Sequence, residues 1–237
     1  MVDIIIPLGT GSKSDNDELR LLLRSIEKNG IGYRRIIVVA TEIPSWLQNV
    51  VTLQMPDSLH QNKDGNIIRK VLFALTAVPD ITPEFVWTCD DCTVLKKTDF
   101  TLLPPITNDR GKSDFPANGS IWQRRVRRTF EFFEKNGLQL THNYESHTPQ
   151  KFPSRKILRA MRGVNYEADI GYSINTLFFG LLGVTGGFDQ SLFKVSAETA
   201  EKNKLNRHFI GYNDKAFLSG LREKLFDLFP HKSKYER

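Results

Sequence analysis

The chain has 237 residues, 40% hydrophobic and 25% charged, and 33 Lys and Arg against 27 Asp and Glu give it a net charge of +6. That composition excludes a disordered or low-complexity protein, and no apolar run approaches the roughly 20 residues of a membrane span. A chain of this length buries roughly 70% of its unfolded surface, enough for a core without disulfide or structural metal, and no linker or repeat divides it, so one domain over residues 1–237 is expected.

Residues 3–8 (DIIIPL) are a β-branched run and predict a buried strand. Their apolar stretch is too short for a signal sequence and follows Asp3, so a soluble, cytoplasmic protein with no membrane partner is expected. Residues 9–14 are rich in Gly and Ser and read as a turn. Ser14 or Asp15 then caps a helix with Asp17 and Glu18 at its positive end, Leu19, Leu22, Leu23 and Ile26 inward, and Asn29-Gly30 as its stop. Residues 33–40 (YRRIIVVA) predict the second strand and residues 50–55 the third. Residues 64–77 predict a helix that buries Ile67, Ile68, Val71, Leu72 and Leu75, and Pro79 lies just beyond it. Residues 85–88 (FVWT) predict the next strand, which runs straight into Cys89-Asp90-Asp91. Strands alternating with helices indicate βαβ units and an α/β fold with a mostly parallel central sheet.

The middle of the chain differs. Residues 102–119 are rich in Pro, Gly and Asp and predict a long loop; residues 120–135 predict a helix ended by Asn136-Gly137. Further helices are expected at residues 154–161, 172–179 and 214–229. The reading is therefore a regular α/β half over residues 1–100 and a mixed half over residues 101–237, within one domain.

The sharpest chemical signal is the pair Asp90-Asp91 at the carboxyl end of a central strand. Open α/β sheets bind ligands beyond those ends, and paired carboxylates there suit a hard divalent cation, Mn²⁺ or Mg²⁺, bridging a diphosphate. Cys89 and Cys92 form a CxxC, but no second cysteine pair completes a zinc site, and both are read as reduced bystander thiols. The excess positive charge clusters at Arg124, Arg125, Arg127 and Arg128, a pattern that fits either a polyanion-binding surface or a solvated helix face. Helical spacing puts Arg124, Arg127 and Arg128 on one side with Arg125 turned away, and Val126, Phe130 and Phe133 inward.

The run FVWTCDDCTVL over residues 85–95 resembles the acidic motif that ends the fourth strand of GT-A nucleotide-sugar glycosyltransferases. ELRLLLRSIEKNG (18–30), HQNKDGNIIRKVLFAL (60–75), NYESHTP (143–149) and FPHKSKYE (229–236) further resemble, in order, a family of phage-encoded transferases related to the Stealth capsule sugar-phosphate transferases. Cys89 and Cys92 depart from that family, which more often carries Asn and an aromatic there. The resemblance implies a Rossmann-like GT-A fold and a nucleotide-sugar donor, with a UDP-sugar favoured. It puts the metal on Asp91, gives Asp90 a water-mediated metal contact or the donor sugar, and sets Pro7, Gly9 and Gly11 beside the nucleotide. If the gene is phage-borne, the compartment is the cytoplasm of a bacterial host.

Other residues carry open alternatives. Arg20 and Arg24, one helical turn apart, pair with donor phosphate or with nearby acids. Asn62, Lys63, Asn66 and Arg69 share helical spacing and either balance diphosphate charge or line a solvated face. His147, in a loop before Thr148-Pro149, is a metal ligand, a substrate contact or a structural hydrogen bond. An inverting transfer needs a general base at the acceptor hydroxyl, and Asp169, Glu145 and Asp114 are equal candidates. On the acceptor side, Arg124, Arg127 and Arg128 with Trp122 suit a phosphate backbone and a stacked base, so a hydroxymethylated pyrimidine flipped out of duplex DNA is one acceptor. A surface polysaccharide, or transfer of a sugar phosphate, is another. The rival from a different class is a non-catalytic nucleic-acid-binding protein. No protein partner can be inferred.

Overall fold

The computed structural model describes residues 1–196 and 205–237. Strand β1 (Val2–Leu8) is buried along its whole length, as a strand covered on both faces must be. Ile4, Ile6 and Leu8 enter one apolar cluster and Ile5 the other, following the two-residue period of a strand. Then come α1 (Asp17–Asn29), the short β2 (Gly30–Ile31), β3 (Tyr33–Ala40), β4 (Val51–Gln54), α2 (Lys63–Ala77), β5 (Glu84–Trp87), β6 (Cys92–Val94), β7 (Thr98–Asp99) and β8 (Ile106–Thr107). The second half supplies α3 (Ile121–Lys135), β9 (Gln150–Pro153), α4 (Ser154–Ala160), α5 (Ile174–Leu181), β10 (Phe188–Asp189), β11 (Lys194–Ser196), β12 (Phe209–Gly211), α6 (Asp214–Ala216) and α7 (Arg222–Leu228).

The main sheet runs β4-β3-β1-β5-β9. Its first four strands are parallel, and β9 closes the edge antiparallel to β5. The protein is thus a mixed α/β fold with a mostly parallel central sheet, compatible with a Rossmann-like arrangement. Leaving aside β2, the parallel strands stand in the order third, second, first, fourth. The chain builds outward on one side of β1 and then crosses to the other, so the order reverses between β1 and β5. Such a reversal leaves a crevice at the carboxyl ends of the two strands. α1 and β6 pack on one face of the sheet, and α2, α4 and α5 on the other. β6 leaves the main sheet at once to join β12 and β11 in a second, three-stranded sheet. Among the described residues, no helix is long and apolar enough to cross a membrane.

Most expected elements form within a residue or two, with three exceptions. α1 begins after Asn16, which takes a left-handed φ of 58°, and neither Ser14 nor Asp15 caps it. The Ser14 hydroxyl instead donates to Glu18 Oε1 at 2.9 Å. The long loop expected over residues 102–119 contains β8, which pairs with β10, and a short turn at Lys112–Asp114, because Ile106 and Phe115 are apolar enough to be fully buried. The single helix expected over residues 214–229 is broken into α6, a wide turn at Phe217–Leu221 and α7. Gly220 at φ 104° makes that break, a conformation that favours glycine.

Candidate active site

The carboxyl ends of β1 and β5 open into a cleft of about 1090 Å³. Pro7, Gly9 and Gly11 form one rim, as expected of a glycine-rich turn that lets backbone amides approach a ligand. Trp87, Cys89, Asp90 and Asp91 form the floor. Lys63 and Asp64 project from the start of α2, and Glu145, His147, Asn175 and Lys194 close the far wall. Asn108, Arg110, Ile121, Trp122 and Arg125 also line it.

The acidic turn is held from both sheets. Thr88 N donates to Ile5 O at 3.1 Å, the last rung beside β1, and Tyr212 N, from the residue after β12, donates to Asp91 O at 3.1 Å. Trp87 Nε1 donates to Asn175 Oδ1 at 2.7 Å and ties the turn to α5. The two carboxyls behave oppositely. Burial and the Asp91 charge raise Asp90. Burial also acts on Asp91, but His147, Cys89 and Lys63 outweigh it and hold Asp91 below the usual carboxylate range. Across the cleft, burial works against the charge on Lys63, yet Asp91 and Asp90 raise it above an ordinary lysine. Lys194 Nζ donates to Ser146 O at 2.7 Å, and burial lowers it.

Of the three candidate bases, the cleft contains Glu145. Its Oε1 accepts from Asn175 N at 3.1 Å and Thr176 N at 3.3 Å, at the positive end of α5. Burial, then the Asp64 charge, push it up to about 7. Asp169 and Asp114 are not in the cleft. Asp169 is exposed and paired with Arg128 at 2.6 Å, and Asp114 is spent within its own turn, accepting from Gly111 N at 2.7 Å.

Several expected donor contacts are structural instead. Arg24 makes a bidentate pair with Glu236 at 2.8 Å and donates to Phe229 O and Pro230 O, clamping the last residues against α1. Arg20 pairs with Asp15 and Asp17 at 3.2 Å and lies over Trp46. Asn62 caps α2 through Gly65 N and donates to Tyr166 O and Glu167 O. Arg69 pairs with Glu167 and the Ser58 hydroxyl. None of these four lines the cleft, whereas Lys63 and Asn66 do. Asn66 Oδ1 accepts from Ser58 N and Leu59 N, both at 3.1 Å, and holds the preceding loop.

The arginine cluster is also rearranged. Arg125, expected to face away, is the buried member, 4% exposed. Its Nη1 meets Asp64 Oδ1 at 2.7 Å, Nε donates to Ile170 O at 2.7 Å and Nη2 to Gln61 O at 3.1 Å. It belongs to the stripe Arg125, Thr129, Phe133, four residues apart, which buries with Val126 and Phe130. Arg127 pairs with Glu131 at 2.9 Å and Arg128 with Asp169, while Arg124 is exposed and makes no ion pair among the described residues. Trp122, 39% exposed, lines the cleft edge-on to Phe115, with Arg110 over both rings.

Sequence reasoning missed Lys70 and Asp57. Lys70 is 2% exposed, and its Nζ bonds Leu8 O at 2.7 Å and Asp57 Oδ1 at 2.6 Å, fixing the end of β1 to the loop before α2. A lysine beside Val71 and Ala74 on the buried stripe of α2 was the available signal, because lysine is almost never fully buried without a partner.

Cys89, expected to be a bystander thiol, lies beside two other potential metal ligands. Its Sγ, an Asp91 carboxylate oxygen and a His147 ring nitrogen all lie within 4.8 Å of one another. His147 Nε2 is 2.9 Å from Asp91 Oδ1, and His147 holds a left-handed φ of 55°. Asp90 is not a member of this group. Sulfur, nitrogen and one carboxylate differ from the all-oxygen set that Mn²⁺ and Mg²⁺ favour. Cys92 is sealed in the core. No protein-family model matches the chain, and no curated protein matches it.

Proposed function

We propose that this protein is a nucleotide-sugar-dependent glycosyltransferase of the GT-A kind. One observation carries the reading: the acidic turn Cys89-Asp90-Asp91 ends β5 at the strand-order reversal and shares a single cleft with the Pro7–Gly11 rim and Lys63. Backbone amides of the rim and the Lys63 ammonium offer a diphosphate hydrogen-bond donors and positive charge within one cleft. Glu145 supplies the base. In an inverting transfer the acceptor oxygen bonds to the anomeric carbon, the bond from that carbon to the diphosphate breaks, the diphosphate leaves with the electron pair, and the hydroxyl proton passes to Glu145. Asn175 N and Thr176 N hold Glu145 Oε1, leaving its other oxygen for the acceptor.

The acceptor enters beside Trp122 and Arg110. A glycan acceptor is favoured over duplex DNA, because Arg125 is buried and Arg127 and Arg128 are committed to Glu131 and Asp169. The test is a panel of UDP- and GDP-sugars scored by melting temperature and by hydrolysis. A donor at about 100 times its Kd stabilises the native state by about 2.7 kcal/mol, roughly 5–10 °C for a chain of this size. If no nucleotide or nucleotide sugar shifts the melt and none is hydrolysed, the transferase reading fails. Salt-sensitive duplex binding without turnover would then favour the nucleic-acid-binding alternative.

A further inference from the structure

We infer that Cys89 Sγ, Asp91 and His147 form a centre for a zinc-class divalent ion, bound through a cysteine thiolate and with one coordination position open to the cleft. The inference concerns the same cleft as the transferase reading, but the ligand geometry stands without it. A tetrahedral ion at ordinary Zn–S and Zn–N or Zn–O lengths holds its ligand atoms roughly 3.3–3.6 Å apart. The three atoms are already within 4.8 Å of one another, with one pair at 2.9 Å. Asp91 Oδ1 is sealed from solvent and makes its ion pair with His147 Nε2 at 2.9 Å, a contact that a bound cation would replace.

The ligands are aimed by their neighbours. Cys89 and Asp91 lie on one turn pinned by Thr88 N and by the Tyr212 bond to Asp91 O. His147 sits between Ser146 and Thr148, both buried, whose hydroxyls share a hydrogen bond at 2.6 Å. Gln150 Nε2 and Lys194 Nζ also bond Ser146, at 2.9 and 2.7 Å. Those buried neighbours hold the loop while the imidazole, 44% exposed, keeps room for the shift of up to about 1.3 Å that closing from as far as 4.8 Å to about 3.5 Å requires. Three protein ligands with a fourth position open is the pattern of reactive rather than structural zinc sites. Charge and atoms balance: the Cys89 S–H bond breaks, the S–metal bond forms, one proton leaves to solvent, and the thiolate and Asp91 together match a dication. Sulfur ligation selects zinc-class ions over Mg²⁺.

The test is cobalt substitution. Chelator-treated full-length protein should bind one Co²⁺ per chain with a thiolate-to-cobalt charge-transfer band, which Zn²⁺ abolishes by displacement and excess Mg²⁺ does not. Cys89→Ser should lose the band and bind Zn²⁺ more than roughly tenfold more weakly. Cys92→Ser should keep both, with Cys92→Ala as a second control should the serine variant fail to fold. A wild-type cobalt complex without the band, a band that survives Cys89→Ser, or a band lost in a normally melting Cys92 variant overturns the assignment. Thiolate-bound zinc in a protein that responds to no nucleotide sugar would refute the transferase reading and leave this centre standing. Nucleotide-sugar turnover with no thiolate band would do the reverse.

Discussion

Replacing Arg125 with Ala tests the least expected feature of the cleft, a buried ion pair joining α3 to α2. The guanidinium makes one charged contact, to Asp64 at 2.7 Å, and two carbonyl contacts, to Ile170 and Gln61. Both partners are nearly sealed, at 4% and 8% exposure. Removing one member of such a pair costs about 3–5 kcal/mol, because the other charge is left buried. Burial already raises Asp64, and Arg125 is the largest influence opposing it. Without Arg125 the carboxyl takes up a proton rather than stay charged, which caps the loss near the lower end, about 3 kcal/mol. At roughly 2–4 °C per kcal/mol for a chain of this size, the melting temperature should fall by about 10 °C. Arg125→Ala, Asp64→Asn and the double variant form a thermodynamic cycle read by urea unfolding. The double variant should be more stable than the sum of the single losses allows, by about 2 kcal/mol. Arg124→Ala, an exposed control, should change stability by less than about 0.5 kcal/mol. Arg125→Ala within about 1 kcal/mol of wild type, or strictly additive losses, would refute the buried-pair account.

Other outcomes follow from single contacts. Glu145→Gln keeps an acceptor oxygen for Asn175 N and Thr176 N but cannot take a proton, so sugar transfer should fall roughly 10²–10⁴-fold while nucleotide affinity, read by calorimetry, holds; equal losses in both would remove Glu145 as the base. Lys70→Met keeps the volume but frees Asp57 and Leu8 O, and should cost about 1–3 kcal/mol; an unchanged denaturation midpoint would show that the β1 terminus does not depend on it. Asp3 is fully buried and, although burial raises it, Arg34, Thr82 and Arg35 hold it below its ordinary 3.8. A depressed carboxyl adds stability above its unfolded value that is lost as pH falls through the folded one. Wild type should therefore lose stability below pH 3.8 more steeply than Asp3→Asn, and parallel acid titrations of the two would contradict the arrangement.

The local chemistry of the chain was enough to determine its central architecture. DIIIPL and YRRIIVVA are β-branched runs that only a doubly covered strand can bury, and they form β1 and β3 with nearly the expected bounds. The helix stripes and the position of Asp90-Asp91 after a central strand followed from the same periodicities; Lys63 was one of several donor candidates, Glu145 one of three equal candidate bases and His147 an open loop residue, and only the structure gathers them around one cleft. Which charge meets which was not. Arg20, Arg24, Arg125, Arg128 and Asp169 have the same composition and spacing whether they bind a ligand or one another, and their partners lie up to 212 residues away, as for Arg24 and Glu236. Cys89 became a ligand candidate only when the turn after β5 met the loop carrying His147, 58 residues later in sequence but within 4.8 Å in space. Hydrophobic pattern is a property of neighbouring residues, so the sequence displays it. Pairing of buried polar groups depends on which surfaces the sheet order brings together, and tertiary structure decides that alone.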